Sequence, residues 1–373
     1  MLYNNINNSQ VSELGMGFIR HSAHDFSATQ KLVDYAISRG VNYFEACTFY
    51  LEEQCEKIVG NALSKYPRES YILCDKIVVM DCSPYELNHL DEFFNTQLQK
   101  CQTEYFDFYL FQAIDKRGLQ IMKANPHVIE FFRKKKEEGI IKNLGFSFHD
   151  TNDVLLEAID YIQPDCVQIQ LNYYDWYLGV ARDLYFTLRD KNIPIFVMCA
   201  LKGGTIVNQL PAKIKQDFYA AFPDLNLVEL GLNFLRNLSG VKMVLIGAER
   251  IEWLKQDIDI YEKPFNGLTK REHEIIKIII ENYKKYSLIK CTKCGYCLSV
   301  CPRKIDIPHA IEYYNLIISG NDPDGIYRQK YYDLFKSHQS IMNCAYCGLC
   351  ERKCPQHLPI REIENKVLFP FKL

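Results

Sequence analysis

Short apolar runs alternate with amphipathic stretches between residues 14 and 263. The apolar runs are rich in β-branched and aromatic residues and nearly continuous, as expected for parallel strands that are buried on both faces. Eight runs are therefore predicted to be strands, namely "LGMGFIR", "VNYFEA", "YILCDKI", "FDFYLFQ", "IKNLGFSF", "CVQIQLN", "IPIFVMCA" and "VKMVLIGA". The stretches between them are predicted to be helices, and the first, which begins at Ser27, has Gln30 at capping-box spacing.

Eight strand–helix units of roughly 31 residues each match a (β/α)8 TIM barrel, which is an α/β fold with right-handed crossovers. An open doubly wound sheet is the alternative. That fold should have a third glycine in the phosphate loop after its first strand, whereas the first predicted strand supplies only Gly15 and Gly17. The pattern therefore favours the barrel.

The alternating pattern ends after Lys263-Pro264. The stretch "TKREHEIIKIIIENYKKY" predicts one further helix, and "IPHAIEYYNLIISGN" and "GIYRQKYYDLFKSH" predict two more, joined by the turn "NDPDG". We therefore predict a barrel domain at residues 1–265. A linker helix and a small, mainly α-helical domain should follow at residues 266–373.

Charge and composition narrow the class of partner. Lys and Arg total 44 and Asp and Glu total 46, a balance that gives no electrostatic reason to expect a nucleic acid or an anionic membrane as partner. The start, "MLYNNINNSQ", has neither the basic nor the apolar region of a signal peptide, and the run "IIKIII" is too short to span a membrane. These features predict a cytoplasmic protein.

Eight of the 15 cysteines fall in two runs that share the spacing C-x2-C-x2-C-x3-C-P. The runs consist of Cys291, Cys294, Cys297 and Cys301, and of Cys344, Cys347, Cys350 and Cys354. Zinc is the alternative, but structural zinc sites prefer two separated pairs of cysteines. The spacing predicts two [4Fe–4S] clusters, and in two-cluster ferredoxins the fourth cysteine of each run ligates the other cluster.

Polar residues close several predicted strands, at the end of the barrel where functional side chains normally lie. Lys76 ends an apolar strand and needs a partner there, for which Glu45 is the natural candidate. A tyrosine near a buried lysine, here Tyr50, can donate a proton to a developing alkoxide. The alternative is a structural ion pair beside a tyrosine that only packs.

The same segments resemble the aldo-keto reductase family. The stretch "GVNYFEACTFY" is similar to a family signature in which a strand ends in an acid and a tyrosine follows five residues later, and "YILCDK" is similar to the strand that supplies a lysine. Later segments match in the family's order over nearly the whole barrel. The cysteine runs make the chain similar to the branch of this family with a C-terminal iron–sulfur extension.

This resemblance implies four catalytic positions, which are an acid, a tyrosine, a lysine and a histidine. They fall on Glu45, Tyr50, Lys76 and Gln112, so that glutamate replaces the usual aspartate and glutamine replaces the usual histidine. Glutamine can donate a hydrogen bond but cannot titrate near neutral pH. Within the family, an acid in place of this histidine is linked to reduction of conjugated C=C bonds, so a carbonyl compound or an enone is expected as substrate.

The resemblance also implies an NAD(P)H site. Ser147 and Gln168 would hold the nicotinamide carboxamide, with Asn172 just beyond them. The turn "LKGG" (Leu201, Lys202, Gly203 and Gly204) would offer backbone N–H groups to phosphate. Gly247 and Arg250 would lie at the adenine end, where Asp257 stands in place of the usual asparagine. Arg250 would contact a 2′-phosphate there, and the alternative is a solvated arginine at the start of a helix.

A hydride carries two electrons, whereas an iron–sulfur cluster passes one electron at a time. The pair must therefore be split by a flavin, by a radical-tolerant substrate or by a partner, and flavin mononucleotide (FMN) could take the barrel site with its phosphate on the "LKGG" turn. The leading hypothesis is an oxidoreductase that exchanges electrons with a ferredoxin-like carrier. The alternatives are an electron-transfer subunit whose barrel has lost its chemistry, and clusters that are purely structural.

Overall fold

The structure is a computed structural model that describes residues 1–21, 25–51, 53–286 and 288–368. The chain divides into two compact units. The first consists of Met1–Ala200 and Leu232–Gly267, and the second of Leu201–Gly231 and the chain from Leu268 onward. The sequence pattern did not predict that residues 201–231 group with the second unit. The domain borders 1–265 and 266–373 stay a prediction.

Among its described residues the first unit has ten strands. They are β1 (Tyr3–Ile6), β2 (Ser9–Ser12), β3 (Leu14–Gly17), β4 (Tyr43–Glu45), β5 (Ile72–Ile77), β6 (Phe106–Ile114), β7 (Ile141–Phe148), β8 (Cys166–Gln170), β9 (Ile195–Met198) and β10 (Val241–Ile246). Strands β3 to β10 form a closed, all-parallel barrel in chain order, in which β10 pairs with β3. All eight predicted strands are present, so the predicted TIM-type barrel is confirmed.

Strands β1 and β2 form an antiparallel hairpin that the sequence analysis did not predict. Ile6 and Val11 are buried in it, in one cluster with Tyr43, Phe108 and other side chains from the barrel strands. Asn7, at the tip, has a φ of 50°, a left-handed conformation that asparagine adopts more readily than most residues. The hairpin therefore belongs to the barrel core.

The helices that connect the barrel strands or follow them include the predicted ones. Those in the first 200 residues are α1 (Phe26–Ser38), α2 (Cys55–Leu63), α3 (Pro84–Asn88), α4 (Leu90–Lys100), α5 (Lys116–Ala124), α6 (Pro126–Glu137), α7 (Asn152–Ile162), α8 (Tyr173–Leu178) and α9 (Ala181–Asp190). The predicted cap of α1 was wrong. Asp25 caps this helix instead of Ser27, because its side chain accepts a hydrogen bond from the backbone N–H of Ala28 at 2.9 Å.

The remaining helices follow β9. They are α10 (Thr205–Asn208), α11 (Ala212–Ala221), α12 (Leu227–Arg236), α13 (Ile251–Glu262), α14 (Lys270–Lys285), α15 (Tyr296–Val300), α16 (Ile307–Ile318), α17 (Ile326–Lys336), α18 (Leu349–Lys353) and α19 (Ile360–Leu368). The second unit is thus mainly helical, as predicted. No helix in the described part of the chain is long and apolar enough to cross a membrane.

Backbone hydrogen bonds explain why residues 201–231 group with the helical unit. The N–H of Ala212 donates to the carbonyl of Ser319 at 2.8 Å, and the side-chain amide of Asn321 donates to the carbonyl of Leu210 at 2.8 Å. Buried side chains of α16 and α19, among them Ile307, Ile311 and Ile363, form the core of this unit around the cysteine runs.

Candidate functional site

An ion pair between Lys76 and Glu45 lies inside the barrel. The side chains are 1% and 2% exposed, and Lys76 Nζ donates to Glu45 Oε1. Gln168 closes a triangle with them, because its amide donates to Glu45 Oε2 at 2.7 Å and its Oε1 lies 3.4 Å from Lys76 Nζ. Burial is the largest single influence on the pKa of Lys76 and lowers it, but the Glu45 carboxylate and smaller contributions from neighbouring groups together raise this pKa above its usual value, so Lys76 stays charged.

Tyr50 lies beside this pair. Lys76 Nζ is 5.6 Å from the centre of the Tyr50 ring, and the side-chain amide of Gln112 donates to the Tyr50 hydroxyl oxygen at 3.0 Å. Tyr50 is 7% exposed and Gln112 is 3% exposed. The structure thus brings together all four residues that the sequence analysis selected as catalytic. In this arrangement the Tyr50 hydroxyl oxygen accepts a hydrogen bond from the Gln112 amide.

A bulge in β6 directs Gln112 into this site. The pairing of β6 with β7 shifts in register between Phe111 and Ile114, and Ala113 has a φ of 55°. The N–H of Ala113 donates to Ser147 Oγ at 2.7 Å, and Ser147 Oγ donates to Gln112 Oε1 at 3.2 Å. These bonds orient the Gln112 amide so that its NH2 group faces Tyr50. The strand was expected to end at Gln112, but it continues to Ile114.

Several polar side chains that were not selected from the sequence form a hydrogen-bonded group next to the backbone of Lys76. The Gln97 amide donates to the backbone carbonyl of Lys76 at 3.0 Å and to Thr48 Oγ1 at 2.8 Å, while Tyr109 donates to Gln97 Oε1 at 2.5 Å. Gln97 lies on the predicted helix α4, and a lone glutamine on a helix gives no signal of such a role. Its 1% exposure shows that it is part of the interior.

His21 is a second residue that the sequence analysis did not select. It follows the carboxyl end of β3 and is 6% exposed, and burial lowers its pKa to about 4. Its Nε2 has no hydrogen-bond partner among the described residues. A histidine directly after a barrel strand is a signal that could have found it.

The residues expected at the nicotinamide form hydrogen bonds with other groups of the protein. Ser147 orients Gln112, and Gln168 holds Glu45, as described above. The Asn172 side chain caps α8 by accepting from the N–H of Asp175, and its amide donates to Asp175 and to the carbonyl of Cys199 at 3.0 Å. All three are buried, and their contact with a cofactor stays a prediction.

The proposed adenine end follows β10. A Cβ atom at Gly247 would lie 3.7 Å from Arg20 Cδ, which is an ordinary van der Waals contact. Arg250 is exposed and stacks on Trp253 at 5.3 Å. Asp257 is buried, and burial raises its pKa to about 7.

The "LKGG" turn belongs to the second unit. Lys202, Gly203 and Gly204 have φ angles of 49°, 64° and 84°, so three consecutive residues are left-handed, and the Lys202 side chain is buried. The N–H of Gly204 donates to the carbonyl of Leu201 at 2.9 Å. Two glycines suit this turn because they adopt a positive φ without strain. Its role in phosphate binding stays a prediction.

The eight cysteines of the tail line two cavities, each with about 350 Å³ of empty space that is partly open to solvent. One is lined by Cys291, Cys294, Cys297 and Cys354, and the other by Cys344, Cys347, Cys350 and Cys301. The structure therefore groups the first three cysteines of each run with the fourth of the other. No three His, Cys, Asp or Glu side chains in the described ranges are arranged to hold a single metal ion.

The backbone around the two cavities repeats with an offset of 53 residues. Lys293 and Tyr346 are left-handed with φ of 56° and 52°, and so are Gly295 and Gly348 with φ of 82° and 70°. In both runs an N–H donates to the first cysteine sulfur, from Lys293 at 3.4 Å and from Tyr346 at 3.3 Å. Hydrogen bonds to cysteine sulfur are a known means of tuning iron–sulfur clusters, and four thiols around one cavity fit a [4Fe–4S] cluster.

Comparison with known proteins assigns both parts of the chain. The model of the aldo/keto reductase family matches residues 13–281, and the model of a 4Fe-4S dicluster domain matches residues 287–358. A curated relative, the uncharacterized oxidoreductase YqkF of Bacillus subtilis (strain 168), is 24% identical over 275 residues, which cover 66% of this chain and 86% of the relative.

Solved structures agree with this assignment at the level of the fold. An aldo-keto reductase from Bacillus halodurans (holo form) has a TM-score of 0.63 at 21% identity, over 75% of this chain and 96% of its own. An aldo/keto reductase from Klebsiella pneumoniae, in complex with NADP and acetate, has a TM-score of 0.59 at 20% identity, over 74% and 93%. The family model spans all the barrel strands from β3 to β10. This chain therefore belongs to the aldo/keto reductase family, and it is an oxidoreductase with a 4Fe-4S dicluster domain after its barrel.

Proposed function

We propose that the barrel reduces a carbonyl compound or a conjugated enone, with NADPH as the hydride donor and Tyr50 as the proton donor. The observation that carries this proposal is the contact of Tyr50 with the Gln112 amide at 3.0 Å, beside the buried Lys76–Glu45 pair. Bound NADPH would supply the hydride. The Klebsiella pneumoniae neighbour, whose structure contains NADP, supports a nicotinamide cofactor.

Each of the four residues then has a distinct task. Tyr50 donates its proton to the oxygen that becomes negative during reduction, and Lys76 stabilises the phenolate that remains. Glu45 keeps Lys76 charged and in place. Gln112 donates to the same phenolate oxygen, and because an amide does not titrate near neutral pH, it leaves the return of the proton to solvent.

We further propose that the two cysteine sets hold one [4Fe–4S] cluster each, and that these clusters exchange single electrons with a ferredoxin-like carrier. The cavities support this proposal, because each is lined by three cysteines of one run and the fourth of the other. Ile307 lines both cavities, so the two sites are neighbours within the helical unit. Adjacent one-electron sites are suited to passing electrons in sequence.

The test is a Tyr50→Phe variant that is purified anaerobically together with the wild type. Removing the hydroxyl should lower NADPH-dependent reduction of an enone or ketone panel at least a hundredfold, because general acid catalysis contributes about 10²–10⁴-fold. Iron and sulfide content should be unchanged, since Tyr50 does not line either cysteine cavity. Undiminished turnover in the variant would reject Tyr50 as the proton donor.

A specific observation favours a second candidate, an electron-transfer subunit with an altered barrel. Ser147 and Gln168, which should hold the nicotinamide, are instead bonded to Gln112 and Glu45. Titration with NADPH distinguishes the two candidates, because a barrel without hydride chemistry would neither bind the nucleotide nor oxidise it with any substrate. A releasable flavin in the purified protein would instead identify FMN as the group that splits electron pairs.

A further inference from the structure

The 53-residue repeat allows the two cysteine cavities to be compared position by position. Ile289, two residues before the first run, is 7% exposed, whereas the equivalent Met342 is 61% exposed. Lys293 is paired with Glu312 of α16, whereas the equivalent Tyr346 is 54% exposed. Beside the first cavity the side chains at these positions are therefore buried or paired. Beside the second cavity the equivalent side chains are exposed to solvent.

The cysteines follow the same asymmetry. Cys347 is exposed, whereas its equivalent Cys294 is partly buried. None of the other seven cysteines of the two runs is exposed. Electron transfer slows steeply with distance, so a protein partner would reach the second cysteine set more readily than the first.

Charge distinguishes the two cavities as well. Arg303 and Arg361 line the second cavity, while no charged residue lines the first. The residues equivalent to Arg303 and Lys304 are Gln356 and His357, and the residue equivalent to Arg361 is Pro308. Arg303, Lys304 and Arg361 are all exposed, although Glu351 pairs with Arg361. The exposed Arg303, which lines the second cavity, and its exposed neighbour Lys304 thus form a basic rim there, in a chain whose net charge is −2.

Exposed apolar side chains at the centre and charges at the rim are the anatomy of a transient protein interface. The sign of the rim charge selects partners, because complementary charges accelerate encounter and like charges suppress it. We define the second-cavity face by Met342, Tyr346, Cys347, Arg303 and Lys304. This face exposes a cysteine of the second set and carries the positive charges of Arg303 and Lys304.

We propose that the second-cavity face is the docking surface for a small one-electron carrier protein whose surface is acidic around its redox centre. This inference rests on the proposed function, since it requires the cysteine sets to hold clusters. In each encounter the reduced carrier loses one electron, and the cluster held by Cys344, Cys347, Cys350 and Cys301 gains it. Two encounters supply one electron to each of the two clusters.

The test compares two charge variants of the full chain with reduced flavodoxin of net negative charge as the probe. Arg303→Glu/Lys304→Glu reverses the rim of the second cavity, and Gln356→Glu/His357→Glu places the same charges at the equivalent positions of the first. Stopped-flow absorbance follows oxidation of the flavodoxin, and fluorescence anisotropy of labelled, oxidised flavodoxin follows binding. Both are measured at an ionic strength of about 0.05 M and about 0.5 M.

The wild-type rate at low salt should exceed the high-salt rate at least tenfold, because steering by surface charge is screened. The Arg303→Glu/Lys304→Glu variant should lose at least tenfold in rate and in affinity at low salt and show little salt dependence. The Gln356→Glu/His357→Glu variant should stay within about threefold of the wild type. That combination would support the docking surface.

Two results would overturn the inference. Equal rates and affinities for the wild type and the Arg303→Glu/Lys304→Glu variant would show that the rim does not bind the carrier, and a larger loss in the Gln356→Glu/His357→Glu variant would place docking at the first cavity. Iron and sulfide analysis separates this from the proposed function. Samples without four irons per cysteine set would reject the clusters and the docking surface together, whereas loaded samples with insensitive rates would reject only the docking surface.

Discussion

Lys76 and Glu45 are charged residues in the interior of the barrel, where each depends on the other. Charges buried without a partner are costly, while a buried pair held by hydrogen bonds is tolerated. Gln168 and Gln97 supply such bonds, one to the Glu45 carboxylate and one to the Lys76 carbonyl. The residues that position the chemistry therefore also determine much of the stability of this part of the barrel.

Replacement of Lys76 alone should destabilise the barrel strongly. In Lys76→Met the Glu45 carboxylate loses its counter-ion, and the free energy of unfolding should fall by about 3–5 kcal/mol. The double variant Lys76→Met/Glu45→Gln has no unpaired charge and should regain most of that loss. Tryptophan fluorescence during denaturation measures this well, because both tryptophans, Trp176 and Trp253, lie in the first unit. A double variant no more stable than Lys76→Met would contradict the argument.

Asp257 predicts a pH dependence of barrel stability. Burial raises its pKa to about 7 in the folded chain, above the value of about 4 that an exposed aspartate has. The folded state therefore binds the proton more tightly, and the contribution of Asp257 to stability falls as pH rises from about 4 to about 7 and is lost above it. At pH 8 the buried carboxylate is charged and destabilises the fold.

Asp257→Asn should remove this penalty while keeping the shape of the side chain. At pH 8 the variant should be more stable than the wild type, by about 4 kcal/mol at most, and near pH 4 the difference should vanish. Thermal melting of the wild type and the variant, followed by tryptophan fluorescence across this range, checks the sign. A constant difference at all pH values would show that Asp257 does not titrate as proposed.

Residue identities could be predicted better than their bonds. The resemblance to the family selected Glu45, Tyr50, Lys76 and Gln112, and the structure places these four residues together. The expected contact of Ser147 and Gln168 with a nicotinamide stays a prediction, and their side chains form hydrogen bonds with Gln112 and Glu45. The direction in which an amide or hydroxyl donates depends on neighbours from other strands, and a strand pattern carries no information about it.

Among the elements, the bulge in β6 connects the fold most directly to the chemistry. Bulges redirect side chains at barrel rims, and this one depends on the left-handed φ of 55° at Ala113. Nothing in "FDFYLFQAI" signals the bulge, since bulges depend on the register of the neighbouring strand. The hairpin of β1 and β2 was missed for a related reason, because only Ile6 and Val11 mark it as apolar within a polar stretch.

Substitutions at Ala113 test the bulge. Valine is β-branched and disfavours a left-handed φ, so Ala113→Val should shift Gln112 away from Tyr50 and lower kcat at least tenfold. Ala113→Gly adopts the same φ without strain and should retain activity within about threefold. Activity assays on samples with matched iron content provide the measurement. Equal activity of the two variants would show that the bulge does not position Gln112.

The whole molecule joins an aldo/keto reductase barrel to a 4Fe-4S dicluster domain. Both halves could be predicted from sequence because their signals are repetitive: strand–helix alternation gives the barrel, and the spacing of eight cysteines gives the dicluster domain. The grouping of residues 201–231 with the helical unit could not be predicted. It depends on backbone hydrogen bonds, such as the one from the N–H of Ala212 to the carbonyl of Ser319. The residue types in the sequence do not indicate such bonds.

Hydride transfer assisted by Tyr50 is the central claim for the molecule, and isotope transfer tests it most directly. Wild type and Tyr50→Phe, each with matched iron content, are incubated anaerobically with NADPH that carries deuterium at both positions of the nicotinamide C4 and with an enone or ketone, and the product is analysed by mass spectrometry. The account predicts one deuterium per product molecule from the wild type, and at least a hundredfold less product from Tyr50→Phe. Product without deuterium, or equal product from both proteins, would contradict it.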